Sequence, residues 1–164
     1  MSESSIDQLV DGWLTAYGPA ILRMCCVYLG DRTLAEDALQ ETFIRAWQAL
    51  RRNNMSVQHE KAWLMHIAVN VCRDLHRSRW FRHIDAAACL DDLPELPDER
   101  TMADHDLLLD VYRLPEKYKQ VILLCFYHHM TQQECADVLG VSVSAVNKRL
   151  AKAQAMLKTE WEVD

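Results

Sequence analysis

Glycine and proline are scarce in this chain, with four of each among 164 residues. Both residues interrupt helices, whereas the plentiful Leu, Ala, Arg, Gln and Glu support them, so the composition favours helix over sheet. No uncharged run approaches the roughly 18 residues that a membrane span needs, and the acidic, polar N-terminus lacks the pattern of a signal peptide. We therefore expect an all-α protein that is soluble and cytoplasmic.

Sequence motifs for catalysis and metal binding are also absent. There is no nucleotide-binding glycine loop, nucleophile elbow or paired-carboxylate pattern. The six cysteines follow no C-x-x-C or other metal-type spacing. The adjacent His128 and His129 point to different sides of a helix, which disfavours a metal site with Cys125 and Cys135. We expect reduced thiols in the core, no metal, no cofactor and no enzyme activity.

The net charge of −6 is distributed unevenly along the chain. Residues 51–84 carry a net charge of +5 and residues 111–161 carry +3, whereas residues 85–110 carry −8. Two basic segments on either side of an acidic one are typical of two phosphate-facing surfaces with a spacer between them.

The acidic stretch 85–104 holds two of the four prolines and lacks sustained helical periodicity. It is predicted to be a flexible linker, with a short helical piece as an open alternative. This division gives a first domain of residues 1–84 and a second of residues 105–164. We expect each domain to be a small helical bundle.

The start of the first domain is predicted to be helical. Residues 5–29 are expected to form one or two helices, with an interruption near Gly18-Pro19 because proline lacks a backbone N–H. Thr33 and Glu36 have the spacing of a capping box, so the next helix is expected to begin at Thr33.

That second helix presents a polar face, since its apolar stripe uses the opposite side. An acidic helix face is usually solvated, and binding to a partner protein is the alternative. The candidate partner-binding residues are Asp37, Gln40 and Glu41.

A third helix, predicted from about Gln58 to Arg79, carries a polar and aromatic stripe at spacings of three and four. An aromatic ring that stacks and guanidinium groups that contact phosphate are what unpaired bases require. The open alternative is that Trp63 packs in the core and that the Asn70 amide is buried with its hydrogen bonds made. The stripe consists of Trp63, His66, Asn70, Arg73 and Arg77.

The strongest local pattern lies at residues 131–157. Thr131 and Glu134 have capping-box spacing, and Gly140 stands where a helix stop is expected. Ser142 can cap the following helix. A helix, a short turn with glycine and a second helix predict a helix-turn-helix whose outward face meets the DNA major groove. The candidate DNA contacts on that face are Ser144, Asn147, Lys148, Arg149 and Lys152.

Three segments resemble those of bacterial RNA polymerase sigma factors. The helix that grips the polymerase clamp in that family is similar to A-E-D-A-L-Q-E-T-F-I-R-A-W (35–47). The segment that reads and melts the −10 element is similar to A-W-L-M-H-I-A-V-N-V-C-R-D-L-H-R-S-R (62–79). The domain that reads the −35 element is similar to L-P-E-K-Y-K-Q-V-I-L-L (114–124) and the helix-turn-helix after it. Two such domains and a short linker resemble the extracytoplasmic-function (ECF) group of the sigma-70 superfamily.

The resemblance implies a function and three partners. It implies that the chain directs core RNA polymerase to specific promoters and assists promoter melting, and that an anti-sigma factor regulates it. It assigns the polar face of the second helix to polymerase, the stripe of the third to the −10 element and the helix-turn-helix to the −35 element. Departures from the family pattern at Glu60, His76 and Ser144-Ala145 leave the promoter sequence open.

Two other functions stay open from the sequence. A stand-alone helix-turn-helix transcriptional regulator would bind a palindromic site without polymerase. An interaction protein, such as a decoy for an anti-sigma factor, would bind partners without promoting transcription.

Overall fold

The computed structural model describes residues 2–53, 56–78, 86–91, 93 and 105–162, and these ranges contain helices and no strand. The all-α expectation is therefore confirmed. None of the described helices is both long and apolar enough to cross a membrane. The helices are α1 (Glu3–Leu29), α2 (Arg32–Asn53), α3 (Glu60–Ser78), α4 (Ala86–Asp91), α5 (His105–Arg113), α6 (Glu116–Ile122), α7 (Gln132–Leu139) and α8 (Val143–Glu162).

Helix α1 corrects the predicted interruption near Gly18-Pro19, because it runs without a break from Glu3 to Leu29 with Pro19 inside it. Proline in a helix interior costs about 3 kcal/mol. Tertiary packing offsets this cost, since Trp13 before the proline and Ile21 after it are both buried. Helix α1 also packs against α2 and α3.

The predicted start of α2 at Thr33 is also wrong. The helix begins at Arg32, and Asp31 Oδ1 accepts a hydrogen bond from the backbone N–H of Leu34 at 3.1 Å. Thr33 is exposed. A carboxylate that precedes the first turn is as good a cap as threonine, and its charge is favourable beside the positive helix end.

Helix α3 closes the first half of the molecule. Leu64, Ala68 and Cys72 are buried on its inner face, and the inner face packs on α1 and α2. The Tyr17 hydroxyl of α1 donates to Glu60 Oε2 at 3.0 Å, which raises the pKa of Tyr17 and ties the start of α3 to α1.

The short helix α4 lies inside the stretch predicted as a linker, where a helical piece was the open alternative. It contacts α1 and α5. Residues 85, 92 and 94–104 of that stretch lie outside the described residues.

The second half begins with α5, which ends at Arg113, just before Leu114-Pro115. Helix α6 follows, with Pro115 as its N-cap, and continues into a π-helical turn at Leu123–Tyr127. The buried residues of α6 and the turn pack against α7 and α8.

The predicted caps of the helix-turn-helix are confirmed. Thr131 and Glu134 form a reciprocal capping box at the start of α7, and Gly140 ends that helix with a left-handed φ of 68°. Ser142 Oγ accepts a hydrogen bond from the N–H of Ala145 at 3.0 Å at the start of α8. Local signals therefore fix both helices and the turn between them.

The two halves also pack against each other. Helix α1 contacts α4 and α5, and α3 contacts α7. Buried apolar side chains form one cluster that extends from Ile6 in α1 to Leu157 in α8.

Candidate functional site

The outward face of α2 carries the candidate partner-binding residues. Asp37 and Gln40 are exposed and Glu41 is half-buried, whereas Ala38 and Thr42 point into the core. Glu41 Oε1 accepts a hydrogen bond from Arg45 Nε at 2.9 Å, which leaves Asp37 as the more accessible of the two carboxylates.

Two features of this face are not evident from the sequence alone. Ile44, one turn after Gln40, is 48% exposed and adds an apolar side chain to this polar face. Asp74 of α3 lies 3.7 Å (Oδ2 to Nη2) from Arg45 of α2. Exposure and pairing across helices depend on tertiary packing, which spacing along one helix does not reveal.

The stripe on α3 is partly exposed, so its residues are not simply core. His66 and Arg77 are exposed, and Trp63, Asn70 and Arg73 are half-buried. The Trp63 ring packs edge-on against Trp13, with 5.8 Å between ring centroids. The Trp63 side chain is therefore packed against Trp13 and still partly accessible to solvent.

Two clefts open beside this stripe. The smaller, of about 310 Å³, lies between α2 and α3 and is lined by Arg45, Ala49, Trp63, His66, Ile67 and Asn70. The larger, of about 660 Å³, separates α3 from α7 and is called the α3–α7 cleft here. Trp63 and His66 line it on one side, and Glu134 and Asp137 line it on the other.

The outward face of α8 is polar and its inner face is apolar, as helical periodicity predicts. Val146, Leu150, Ala153 and Leu157 are buried, as expected for the inner side. The candidate contacts Ser144, Asn147, Lys148 and Lys152 are exposed, and Arg149 is half-buried at the edge of the face. The ammonium group of Lys152 lies 5.6 Å from the ring centroid of Tyr118 in α6, which restrains its position.

The structure therefore places the candidate residues on three separate faces, one each on α2, α3 and α8. The faces of α2 and α3 adjoin through Arg45, which touches both Glu41 and Asp74. The face of α3 also meets the second half, because Arg73 Nη2 lies 3.5 Å from the carbonyl oxygen of Leu139 at the end of α7.

Comparison with protein families matches both halves. Residues 13–82 match the family described as Sigma-70 region 2, and residues 112–157 match Sigma-70, region 4. The first match contains the faces of α2 and α3, and the second contains the helix-turn-helix.

Individual relatives agree with the family matches. The chain is 32% identical to RNA polymerase sigma factor CnrH of Cupriavidus metallidurans, over 98% of this chain and 91% of the relative. It is 32% identical to the ECF sigma factor SigL of Mycobacterium tuberculosis, over 79% of this chain and 75% of the relative. A probable sigma factor of Xanthomonas campestris, RfaY, is 28% identical, and the match spans 39% of that longer protein.

A solved structure has the same fold over nearly the whole chain. CnrH in complex with the cytosolic domain of CnrY superposes with a TM-score of 0.74, at 28% identity, and covers 99% of this chain and 93% of that one. Two family matches in order, two relatives that are 32% identical over 75% and 91% of their own length, and a shared fold establish that the chain belongs to the ECF group of sigma-70 RNA polymerase sigma factors.

Proposed function

We propose that the faces of α2, α3 and α8 have separate roles in transcription initiation. As an ECF sigma factor, the protein directs core RNA polymerase to specific promoters and assists promoter melting. This division of roles rests on one observation: the three outward polar faces lie within the two regions that match the family. The stand-alone regulator is not favoured, since region 2 has no place in it.

The face of α2 binds core polymerase in this proposal. Asp37, Gln40 and Glu41 supply polar contacts, and the exposed Ile44 supplies apolar area beside them. Such a patch of charge around an apolar centre suits a protein partner, because buried apolar area gives affinity and peripheral charges give orientation.

The stripe of α3 holds unpaired bases of the −10 element. Trp63 offers a ring for stacking, and the cleft of about 310 Å³ beside it has Asn70 and His66 for hydrogen bonds. Arg73 and Arg77 neutralise phosphates along the same face. Binding the open strand more tightly than the duplex makes melting favourable without any catalytic group on this chain, and we propose no enzyme activity for it.

The outward face of α8 reads the −35 element in the major groove. Lys148, Arg149 and Lys152 supply phosphate and guanine contacts, and Ser144 and Asn147 face base edges. Arg149 is half-buried, which favours a fixed direction for its side chain, and base readout requires such a direction.

We further propose that an anti-sigma factor regulates this protein in the cytoplasm, where core polymerase acts. The solved relative CnrH was determined in complex with the cytosolic domain of CnrY. The similar fold over 99% of this chain supports a comparable partner.

Run-off transcription with core polymerase tests the proposed division. We expect Asp37→Lys to weaken core binding at least tenfold, and Asp37→Lys with Glu41→Lys to abolish it, because both charges reverse on the contact face. Asp11→Lys makes the same charge change at an exposed position of α1 and serves as the matched control. Co-purification of the double variant with core polymerase would refute the role of α2. A duplex bound specifically without polymerase would favour the regulator instead.

A further inference from the structure

The six cysteines of this chain lie in three pairs whose thiols contact each other. All six fall within the described ranges, and none forms a disulfide. The pairs are Cys25 with Cys72, Cys26 with Cys89, and Cys125 with Cys135. In the first pair the sulfur atoms are 3.6 Å apart. Thiols in contact are the starting point for a disulfide, whose sulfur atoms lie about 2.05 Å apart.

Access to solvent distinguishes the pair of Cys125 and Cys135 from the other two. Cys135 and the four members of the other pairs are buried, with exposed fractions between 0% and 7%. Cys125 alone among the six is half-buried. Thiols buried in apolar surroundings are inert, whereas a partly exposed thiol meets small oxidants from solution.

The π-helical turn that follows α6 accounts for the exposure of Cys125. In a continuous α-helix, Cys125 would share the inner face with Val121 and Ile122, which lie four and three residues before it and are buried. The wider turn closes instead with a hydrogen bond from the N–H of His128 to the carbonyl oxygen of Leu123, five residues earlier. Single π-helical turns of this kind are frequent at functional sites.

After the π-helical turn the chain reverses and brings α7 back against it. The N–H of Met130 donates to the carbonyl oxygen of Leu124 at 3.0 Å, and His129 adopts a left-handed φ of 54°. Helix α7 contacts the π-helical turn and carries Cys135 near its start. The two thiols therefore face each other across a short, hydrogen-bonded loop.

The hydrogen bond between these two thiols makes their sulfur atoms unequal. Contact with Cys135 lowers the pKa of Cys125, whereas contact with Cys125 and burial raise the pKa of Cys135. Cys125 therefore ionises first, and the thiolate is the form that attacks an oxidant. In the other pairs, thiol contact and burial raise the pKa of Cys25 and of Cys26, which keeps both protonated. An accessible, acidic cysteine beside a second cysteine is typical of redox-sensing sites.

We infer that Cys125 and Cys135 form a peroxide-sensitive site at which a reversible disulfide links the π-helical turn to α7. The Cys125 thiolate attacks one oxygen of hydrogen peroxide, the O–O bond breaks, and a sulfenic acid and hydroxide result. The Cys135 sulfur then attacks the Cys125 sulfur, so that the S–S bond forms and the S–O bond breaks. The departing hydroxide takes the Cys135 proton and leaves as water. The two thiols are oxidised by two electrons, the peroxide is reduced to water, and a dithiol reverses the change.

The disulfide changes the helix-turn-helix, and this consequence rests on the proposed role of α8. Bond formation draws the two sulfur atoms from contact to about 2.05 Å, which moves α7 toward the π-helical turn. Helix α7 packs on α8, and the guanidinium charge of Arg149 acts on Cys135. Because base readout depends on the direction of the Arg149 side chain, the oxidised protein reads the −35 element more weakly.

Peptide mapping of the full chain tests the disulfide. Trypsin cleaves after Lys119 and Lys148 and nowhere between them, so residues 120–148 form one peptide that holds Cys125, Cys135 and no other cysteine. The folded protein is treated with dilute hydrogen peroxide, then denatured and alkylated. We expect this peptide to be unalkylated and two hydrogen atoms lighter, and the four other cysteines to be alkylated. Dithiothreitol before alkylation should restore both alkyl groups.

Single substitutions assign a role to each cysteine. In Cys135→Ala, the sulfenic acid of Cys125 has no second thiol to react with, and we expect dimedone to trap it. In Cys125→Ser, we expect Cys135 to remain alkylated, because it is buried. Cys72→Ala removes one thiol of a buried pair and is the matched control, since residues 120–148 should then oxidise as in the wild type. If circular dichroism shows that Cys135→Ala does not fold, the wild type and Cys125→Ser decide.

Two mapping results would overturn the proposed site. One is alkylation of both Cys125 and Cys135 in the peroxide-treated wild type, and the other is earlier oxidation of Cys25 and Cys72.

Run-off transcription tests the consequence, with oxidised protein that is freed of peroxide before core polymerase is added without reductant. From a promoter that needs its −35 element we expect about tenfold less transcript, as loss of one base-edge contact corresponds to roughly that factor. Cys125→Ser should be unaffected by peroxide. Equal transcription before and after oxidation would overturn the effect on α8. Failure of the reduced wild type to initiate would sink the proposed function and leave the mapping result intact.

Discussion

At the scale of single residues, α8 presents two basic side chains that differ in their surroundings. Arg149 is half-buried at the edge of the outward face, whereas Lys152 is exposed and rests against the Tyr118 ring. A guanidinium fork can read a base, but an ammonium group acts as a point charge on phosphate. The two residues should therefore affect promoter choice differently.

Arg149→Ala is expected to relax preference at one base position of the −35 element, at a cost of about 1–3 kcal/mol. Lys152→Ala should weaken binding nearly uniformly across sequences, because phosphates carry no sequence information. A promoter library transcribed with each variant and core polymerase measures both effects, with Gln154→Ala as the control. A preference profile of Arg149→Ala identical to that of the wild type would exclude base reading by this residue.

His128 makes the stability of the second half dependent on pH. Burial lowers the pKa of His128 to about 3, and the nearby charges of Lys61 and His129 act in the same direction. The unfolded chain binds a proton there below about pH 6.5, whereas the folded chain stays neutral. The unfolded state thus binds more protons between these values, so the free energy of unfolding falls as pH falls below about 6.5.

His128→Leu is expected to flatten this fall by up to about 1.4 kcal/mol per pH unit between pH 6 and 4. Urea unfolding followed by circular dichroism at several pH values measures the slope. An equal slope in wild type and His128→Leu would mean that other groups cause the pH dependence.

At the scale of helices, the N-terminus of α2 distinguishes two candidate caps. Asp31→Ala should lower the free energy of unfolding by about 1 kcal/mol, since Asp31 Oδ1 accepts from the N–H of Leu34. Thr33→Ala should change it by less than about 0.5 kcal/mol, because Thr33 is exposed within the helix. Urea denaturation of both variants gives the comparison, and the reverse order would restore Thr33 as the cap.

The helix ends show which local sequence signals are enough to predict a cap. Thr131, Glu134, Gly140 and Ser142 predicted the caps and the turn of α7 and α8, because each interaction lies within three or four residues. The capping-box spacing of Thr33 and Glu36 was misleading, since Asp31 stands two residues earlier and competes for the same role. The helix break predicted near Pro19 was also wrong, because the packing on both sides of Pro19 that keeps α1 continuous depends on residues distant in sequence.

For the candidate faces, the sequence predicted which side chains point outward but not how the faces contact each other. Helical periodicity placed Asp37, His66 and Lys148 outward, since the opposite side of each helix is apolar. It could not reveal the exposure of Ile44 or the pairing of Asp74 with Arg45, because both depend on how α2 and α3 pack together.

At the scale of the whole molecule, the sequence predicted two bundles and a linker but not the contact between the bundles. The bond from Lys119 to the Tyr28 carbonyl joins residues 91 positions apart. Burial of a single lysine against two helix ends is a tertiary outcome that no spacing rule predicts.

The contact between the halves should contribute to the stability of the whole chain. The ammonium group of Lys119 donates to the carbonyl oxygens of Tyr28 and Tyr112, and a hydrogen bond from a charged group contributes about 1.5–3 kcal/mol. Lys119→Met keeps the apolar stem and is expected to lower the free energy of unfolding by about that amount. Urea unfolding followed by circular dichroism measures the change, with Lys148→Met on the exposed face of α8 as the control. Equal stability of Lys119→Met and the wild type would mean that the cost of burying the ammonium group cancels its two hydrogen bonds.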